Sequence, residues 1–249
     1  MNDFLKEINF NSLNYYITKI TEIPKAYEMN ALKDLFGYKR KLTEIVGIEN
    51  LDVSNVTDMK QMFYNSSALT ELDLSLWDVS NVTDMEQMFY NCNSLNYLNI
   101  SNWKNKDIIN VSVNGNIKTI ICRNSNVIPT GIGSSNTNQL VEQIDFSNSE
   151  FRMMDFINMF RNCSNLKNIN FDGCHANNIN NMESMFWGCS SLESIDVSWI
   201  TKSVSYALWM FYGCTSLKTL KVKSGLESYW TEVLTDSELD VNNITIISV

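Results

Sequence analysis

Apolar and polar positions along this chain recur in one phrase. From Asp78 to Ile100 it reads DVSNVTDMEQMFYNCNSLNYLNI, and Asp52 to Leu74 is nearly the same, DVSNVTDMKQMFYNSSALTELDL. Met62 to Met88 and Phe63 to Phe89 are each 26 residues apart, and eroded copies follow as FINMFRNCSNLKNINF, NMESMFWGCSSLESIDV and ALWMFYGCTSLKTLKV. A fixed period of this length marks a chain of stacked units, each too small to bury its own apolar face.

Each column of the phrase has a physical reading. Thr83-Asp84-Met85-Glu86 has the form of a capping box, a role that Asp58 and Gln61 can fill in the preceding copy. Met85, Met88 and Phe89 then stand at i, i+3 and i+4, the spacing of one face of a short helix. Two residues beyond the Phe lie Asn65, Asn91, Asn162, Gly188 and Gly213, residue types that tolerate a left-handed backbone and so predict a helix C-cap. A small residue follows (Ser66, Cys92, Cys163, Cys189, Cys214), then an apolar one three positions on (Leu69, Leu95, Leu166, Leu192, Leu217). The phrase ends in alternation, Leu72/Leu74, Leu98/Ile100, Ile169/Phe171, Ile195/Val197 and Leu220/Val222, which predicts a strand with one buried face.

A short helix, a cap, a leucine and a short strand form a leucine-rich repeat. The wording WDVSNVTDMEQMFYNCNSLNYLNIS also resembles the BspA-like leucine-rich repeats of bacterial surface proteins, in their mycoplasma-type variant. The expected fold is therefore an α/β solenoid, right-handed, with a parallel β-sheet on one face, short helices on the other and helical caps at the ends. Roughly eight rungs at about 4.8 Å each give a body about 40 Å long. The resemblance implies a surface or secreted protein that contacts host proteins or other cells.

The rest of the chain fits around this body. Residues 1–28 read as an N-terminal cap, with Leu13, Tyr16, Ile17 and Ile20 giving an amphipathic turn or two. Asp3, Lys6 and Glu7 interrupt any signal-peptide core there, leaving virion and cytoplasm as further settings. Residues 29–223 form the solenoid; within it, 31–45 align without gaps on 58–72 as a disguised first repeat. Residues 103–143 are degenerate: strand spacing survives around Ile120 and Ile144, but no Met-Phe pair remains, and 124–138 read as a turn-rich loop. Residues 224–249 leave the phrase and predict a C-terminal cap, helical over 227–239 with a last strand over 244–249.

Charge and composition narrow the function. A formal net charge of −9 argues against nucleic acid or an anionic membrane surface as partner, and no apolar run is long enough for a transmembrane helix. His175 is the only histidine, and Cys174 beside it would face the opposite way on a strand. The six cysteines lack the close pairs of a zinc site and read as free buried thiols. Acid pairs such as Asp73 with Asp145, or Asp172 with Asp196, fall on positions that the repeat keeps polar, which is a solvated face rather than a catalytic pair. No catalytic, metal or cofactor site is expected.

Three columns remain as surfaces. Tyr64, Tyr90, Arg161, Trp187 and Tyr212 follow the Phe of each copy and are residue types that anchor protein interfaces; stacking between rungs is the equal alternative. Asp73, Asn99, Asp145, Asn170 and Asp196 lie on the outward side of the sheet and suit a basic protein segment or a glycan. Trp77, Trp103 and Trp199 read as a third column just past the strand ends, packed between rungs. The function expected is a non-enzymatic recognition or adhesion module for a protein or glycan. The alternative is a structural or decoration component of a surface, virion or injection-machine assembly, with oligomers possible.

Overall fold

In a computed structural model of the protein, the described residues are 17–20, 27–28, 32–107, 110–113, 117–133, 140–176 and 178–249. One face carries ten short strands: β1 (Lys19–Ile20), β2 (Glu44–Ile45), β3 (Glu71–Asp73), β4 (Tyr97–Asn99), β5 (Thr119–Ile121), β6 (Gln143–Asp145), β7 (Asn168–Asn170), β8 (Ser194–Asp196), β9 (Thr219–Val222) and β10 (Thr245–Ser248). From β3 to β7 neighbours pair in parallel and in one register, so that Leu72, Leu98, Ile120, Ile144 and Ile169 stand side by side. Parallel neighbours need a crossover of a dozen or more residues, and the repeat period supplies it. The protein is a parallel β-solenoid.

The ladder falls into three hydrogen-bonded runs, β1–β2, β3 to β7 and β8 to β10. At the junction of β7 and β8 the sheet is open, and Ile169 is only partly buried where its counterparts Leu72, Leu98, Ile120, Ile144 and Ile195 are in the core. A second face holds shorter parallel pairs: Tyr27–Glu28 with Leu51–Asp52, Asn110–Ser112 with Ile128–Thr130, and Glu150–Phe151 with His175–Ala176.

The third face departs from the expected short helices. Residues 59–66 form successive tight turns, with N–H groups pointing alternately along and across the solenoid. Met59, Gln61, Phe63 and Asn65 donate to the carbonyls of Asp84, Glu86, Met88 and Tyr90 one rung on. Between them, Met62, Tyr64 and Ser66 donate back to Met59, Gln61 and Phe63. A helix would spend all these donors internally; here half of them stitch the rungs together. The backbone achieves this by turning left-handed at every fourth residue, at Gln61 and Asn65 (φ 57° and 58°) and again at Gln87 and Asn91. The Asn/Gly column is therefore left-handed as expected, but as a turn position and not a helix cap. The expected N-cap Thr83 instead donates its hydroxyl to the Thr57 carbonyl of the rung before (3.0 Å), and Asp84 accepts from the N–H of Glu86, two residues on, which is a local turn contact.

Inside, the phenylalanines stack rung on rung: Phe36 on Phe63 (5.4 Å), Phe63 on Phe89 (5.6 Å), Phe160 on Phe186 (5.2 Å) and Phe186 on Phe211 (5.6 Å). All of these rings are fully buried, each contributing about 1.5–3 kcal/mol. The small column does more than fill space. Ser66 Oγ donates to the Phe36 carbonyl at 2.5 Å, and the thiols of Cys92, Cys189 and Cys214 donate to the carbonyls of Phe63, Phe160 and Phe186 at 3.1 Å.

The middle is held differently. Gly133 donates to the Met159 carbonyl as the Phe of a regular copy does, and a Cβ there would stand 2.3 Å from the Arg161 nitrogen, so only glycine fits. Buried Asn105 closes the gap between rungs: its amide donates to the carbonyls of Val79 (2.6 Å) and Val82 (2.8 Å), and its N–H donates to Asn126 Oδ1 (2.8 Å). Ser125 and Ser149, also buried, make similar cross-rung bonds.

At the C-terminal end one helix, α1 (Glu227–Asp236), lays Trp230, Val233 and Leu234 inward, with the Trp230 ring 6.4 Å from Phe211. The sheet then resumes with β10 on β9. At the N-terminal end the expected amphipathic helix is replaced, where residues are described, by strand, because β1 pairs with β2; Leu13 and Tyr16 lie outside the described residues.

Candidate functional site

On the outward side of the sheet, Asp73, Asn99, Asp145 and Asn170 share one column with Ile121 between, and Asp196 begins the same column on the next run beside Lys221. Each polar member ends its strand and accepts from the backbone N–H two residues on, from Ser75, Ser101, Ser147, Asp172 and Ser198 at 2.9–3.0 Å. The column is first a turn device that bends the chain out of the strand. Much of the remaining capacity is engaged laterally: Asn99 donates to Asp73 (3.0 Å), Arg123 to Asp145 (2.6 Å), and Lys221 pairs with Asp196 (2.6 Å).

Burial works to raise the Asp145 carboxyl, but bonds from Ser147 and Arg123 outweigh it and hold the group below the usual carboxylate range. Asp196 is held low in the same way, with Lys221 and Ser198 opposing its burial. The acid pairs that the sequence offered do not form: Asn99 and Ile121 stand between Asp73 and Asp145, and Asp196 faces Lys221. What remains is a groove of about 500 Å³ over β5 to β8, lined by Arg123, Gln143, Asp145, Asn168, Asn170 and Asp196 among others. It sits where the ladder opens between β7 and β8.

The aromatic column of the turn face forms two stacks. Tyr64 lies on Tyr90 (5.1 Å, 15° between planes) and against Tyr38 (5.2 Å). Further on, the Arg161 guanidinium lies 4.5 Å above Trp187, and Trp187 is 4.3 Å from Tyr212. The two stacks are separated by the middle, where no such turn block occurs among the described residues. Their faces stack while some of each side chain stays accessible, most of all Tyr90 at 44% exposure. Packing and surface are thus the same residues.

The third column packs between rungs at its first two members and breaks at the last. Trp77 and Trp103 are buried, and their indoles donate to the carbonyls of Ile48 (3.0 Å) and Leu74 (2.8 Å). Asp73 to Trp77 and Asn99 to Trp103 are four residues, but Asp196 to Trp199 is three, so buried Ile200 takes that place. Trp199 turns instead onto Phe151, Phe156 and Phe171, and its buried Nε1 meets no partner among the described residues.

All six cysteines are free and buried. Burial pushes the thiols of Cys92, Cys122, Cys163 and Cys214 up to about 12 and Cys174 to about 11, which removes them as nucleophiles at neutral pH. Cys174 donates inward to the Phe146 carbonyl (2.9 Å) while His175 is exposed. Among the described residues no group of three His, Cys, Asp or Glu side chains is placed to hold a metal ion, and no helix is long and apolar enough to cross a membrane.

Column reading missed one group. Aligning residues 206–212 on 58–64 places Tyr206, Leu208 and Trp209 where Asp58, Lys60 and Gln61 stand, and all three are exposed. The signal lay in the sequence, in the outward columns rather than the buried ones.

No curated protein is significantly similar to the chain. Residues 7–119 match the family described as Mycoplasma protein of unknown function, DUF285, and residues 136–248 match the family described as BspA type leucine rich repeat region (6 copies). With one phrase stacked into a parallel ladder, the chain is a leucine-rich-repeat solenoid whose residues 136–248 match the BspA type and whose residues 7–119 match the Mycoplasma family.

Proposed function

We propose that this chain is a non-enzymatic recognition module, exposed at a cell surface or secreted, that holds a protein partner against its solenoid. The observation that carries the reading is the half-exposed stack of Tyr64 on Tyr90 and of Arg161, Trp187 and Tyr212 on the turn face. Rings already fixed by stacking lose little freedom on binding, and Tyr, Trp and Arg are the side chains that most often dominate interface energetics. The groove over β5 to β8 is a second, polar contact area for a peptide or glycan, its carboxylates charged at neutral pH.

The test is a panel of immobilised extracellular proteins and glycans probed with the wild-type chain and with a Tyr64→Ser, Tyr90→Ser double variant. Saturable binding of a protein that falls at least about tenfold in the variant is the expected result. Binding that ignores the variant, or no binding anywhere on the panel, removes the proposal. Light scattering on the same samples addresses the assembly alternative, which requires a discrete oligomer or filament of the chain alone.

A further inference from the structure

The last turn block keeps the backbone of its fellows and changes its outward side. In register, Asp58, Lys60 and Gln61 or Asp84, Glu86 and Gln87 become Tyr206, Leu208 and Trp209. These are 58%, 44% and 40% exposed. Trp209 also sits at φ 55°, a left-handed position that bulky side chains avoid and that sister copies give to Gln61, Gln87, Asn158 and Ser184. Behind it Trp187 meets Trp209 edge-on at 5.8 Å. A large ring is thus displayed at a position where these copies carry a polar residue.

The backbone here is an open edge. In the rung before, Met182, Ser184, Phe186 and Gly188 donate to the carbonyls of Tyr206, Leu208, Met210 and Tyr212. In the last block Phe211 donates to Ser237 Oγ (3.0 Å), but the N–H groups of Ala207, Trp209 and Gly213 meet no acceptor among the described residues. Leu208 joins them, because Tyr206 has replaced the side chain with which Asp58, Asp84 and Asn181 accept from the N–H two residues on. A row of free donors is completed by the carbonyls of an extended chain.

Charge identifies that chain. Residues 203–214 carry no charge, and 224–249 hold Glu227, Glu232, Asp236, Glu238 and Asp240 with no Lys or Arg. Asp236 and Glu238 are exposed on either side of Ser237, which touches the edge itself. Of the nearby lysines, Lys218 and Lys221 are paired with Glu193 and Asp196, while Lys202 and Lys223 are exposed and flank these two stretches. The ladder also shows that its rings accept a cation, since Arg161 already lies over Trp187.

We propose that the edge from Tyr206 to Trp209, short of Phe211 whose N–H already meets Ser237, docks an extended polypeptide segment bearing Arg or Lys. Its carbonyls accept from the free N–H groups, and its cations stack on Trp209 and Tyr206 and face the acidic end of the chain. The proposal rests on the recognition reading and gives it a place and a partner chemistry.

The test uses the full chain and fluorescence anisotropy with three probes: a labelled alternating Arg-Thr decapeptide, its Glu-Thr counterpart, and spermine as competitor. The variant is Leu208→Lys with Trp209→Gln, residues that Lys60 and Gln61 already carry at these positions, so the turn block keeps a sequence found in the same fold. The Arg-Thr peptide is expected to bind, the Glu-Thr peptide not, and the variant to lose at least about tenfold in affinity with an unchanged circular dichroism spectrum. Equal binding by wild type and variant, displacement by spermine as effective as by unlabelled peptide, or no peptide binding overturns the edge assignment. A dimer or filament that the variant abolishes overturns it too, naming a second copy as the occupant. If the immobilised-protein panel still gives binding through Tyr64 and Tyr90 while this edge is silent, only this inference fails; if both are silent, the recognition reading fails with it.

Discussion

The two near-identical copies, residues 52–103, and the degenerate middle, 103–143, occupy consecutive rungs and are held by opposite means. In the copies, the centre is a stack of aromatic rings and the rungs are joined by the turn block. Among the described residues of the middle, the joint is instead a set of buried amides and hydroxyls around Asn105, Ser125 and Asn126. Strand register is the same in both, Tyr97–Asn99 passing to Thr119–Ile121 without a slip. The sheet therefore asks only for alternation and a small range of loop lengths, while the space between sheet and third face can be filled by rings or by a satisfied polar network. Apolar packing tolerates partial relaxation; a polar network fails when one member goes.

Removing the ring is the severest way to test that contrast. Phe89→Ala is expected to lose about 3–5 kcal/mol in denaturant unfolding, since Phe63 keeps its place beside the void. Tyr90→Ser next to it should lose under about 1 kcal/mol by the same measurement. Similar losses at the two sites would contradict the division into core and surface columns. In the middle, Asn105→Leu is expected to cost about 2–3 kcal/mol despite its greater hydrophobicity, because the carbonyls of Val79 and Val82 lose a buried donor. A neutral or stabilised variant would show that the network is ornamental.

The smallest effects are those of the thiols. Cys189→Ser should change stability by less than about 1 kcal/mol, as Ser66 makes the same bond in its own rung, whereas Cys189→Val overfills the column and should cost about 1–3 kcal/mol. The folded thiols titrate above their ordinary value of 9, so the folded state keeps protons that the unfolded chain releases. Their stabilisation is complete below about pH 9 and is lost as pH rises from there toward 12. Unfolding midpoints measured between pH 8 and 11 should fall for the wild type and fall less steeply when Cys92, Cys163, Cys189 and Cys214 are all serine, since Cys122 and Cys174 remain. A flat wild-type profile would mean that water reaches the column.

The period, the strands and the buried columns were legible in the sequence because each buried position returns with the same residue type. The turn block was misread for a physical reason: Met59, Met62 and Phe63 share an inner face in a helix and in successive tight turns alike. The discriminating positions were Gln61, Gln87, Asn158, Ser184 and Trp209, whose left-handed backbone no residue type announces. Trp199 misled by likeness, a tryptophan one residue out of register with Trp77 and Trp103. On the surface, the polar sheet column could be located but not interpreted, since nothing in Asp73 or Asp196 declares that a turn and a neighbouring side chain already engage it.

The bond from each small residue to the Phe carbonyl behind it has a consequence for how such a protein changes over time. Ser66 to Phe36, Cys92 to Phe63, Cys189 to Phe160 and Cys214 to Phe186 are one fitting repeated, so a unit meets the same socket wherever it is placed. An in-frame duplication of 26 residues, the spacing of Phe63 and Phe89, inserts a rung without disturbing those on either side, and a deletion of the same size closes without a seam. Length becomes a copy number, and the near-identity of residues 52–74 and 78–100 is what a recent copying event leaves behind. New surface then arises by substituting only outward residues in a spare copy, as Tyr206, Leu208 and Trp209 illustrate at the last one.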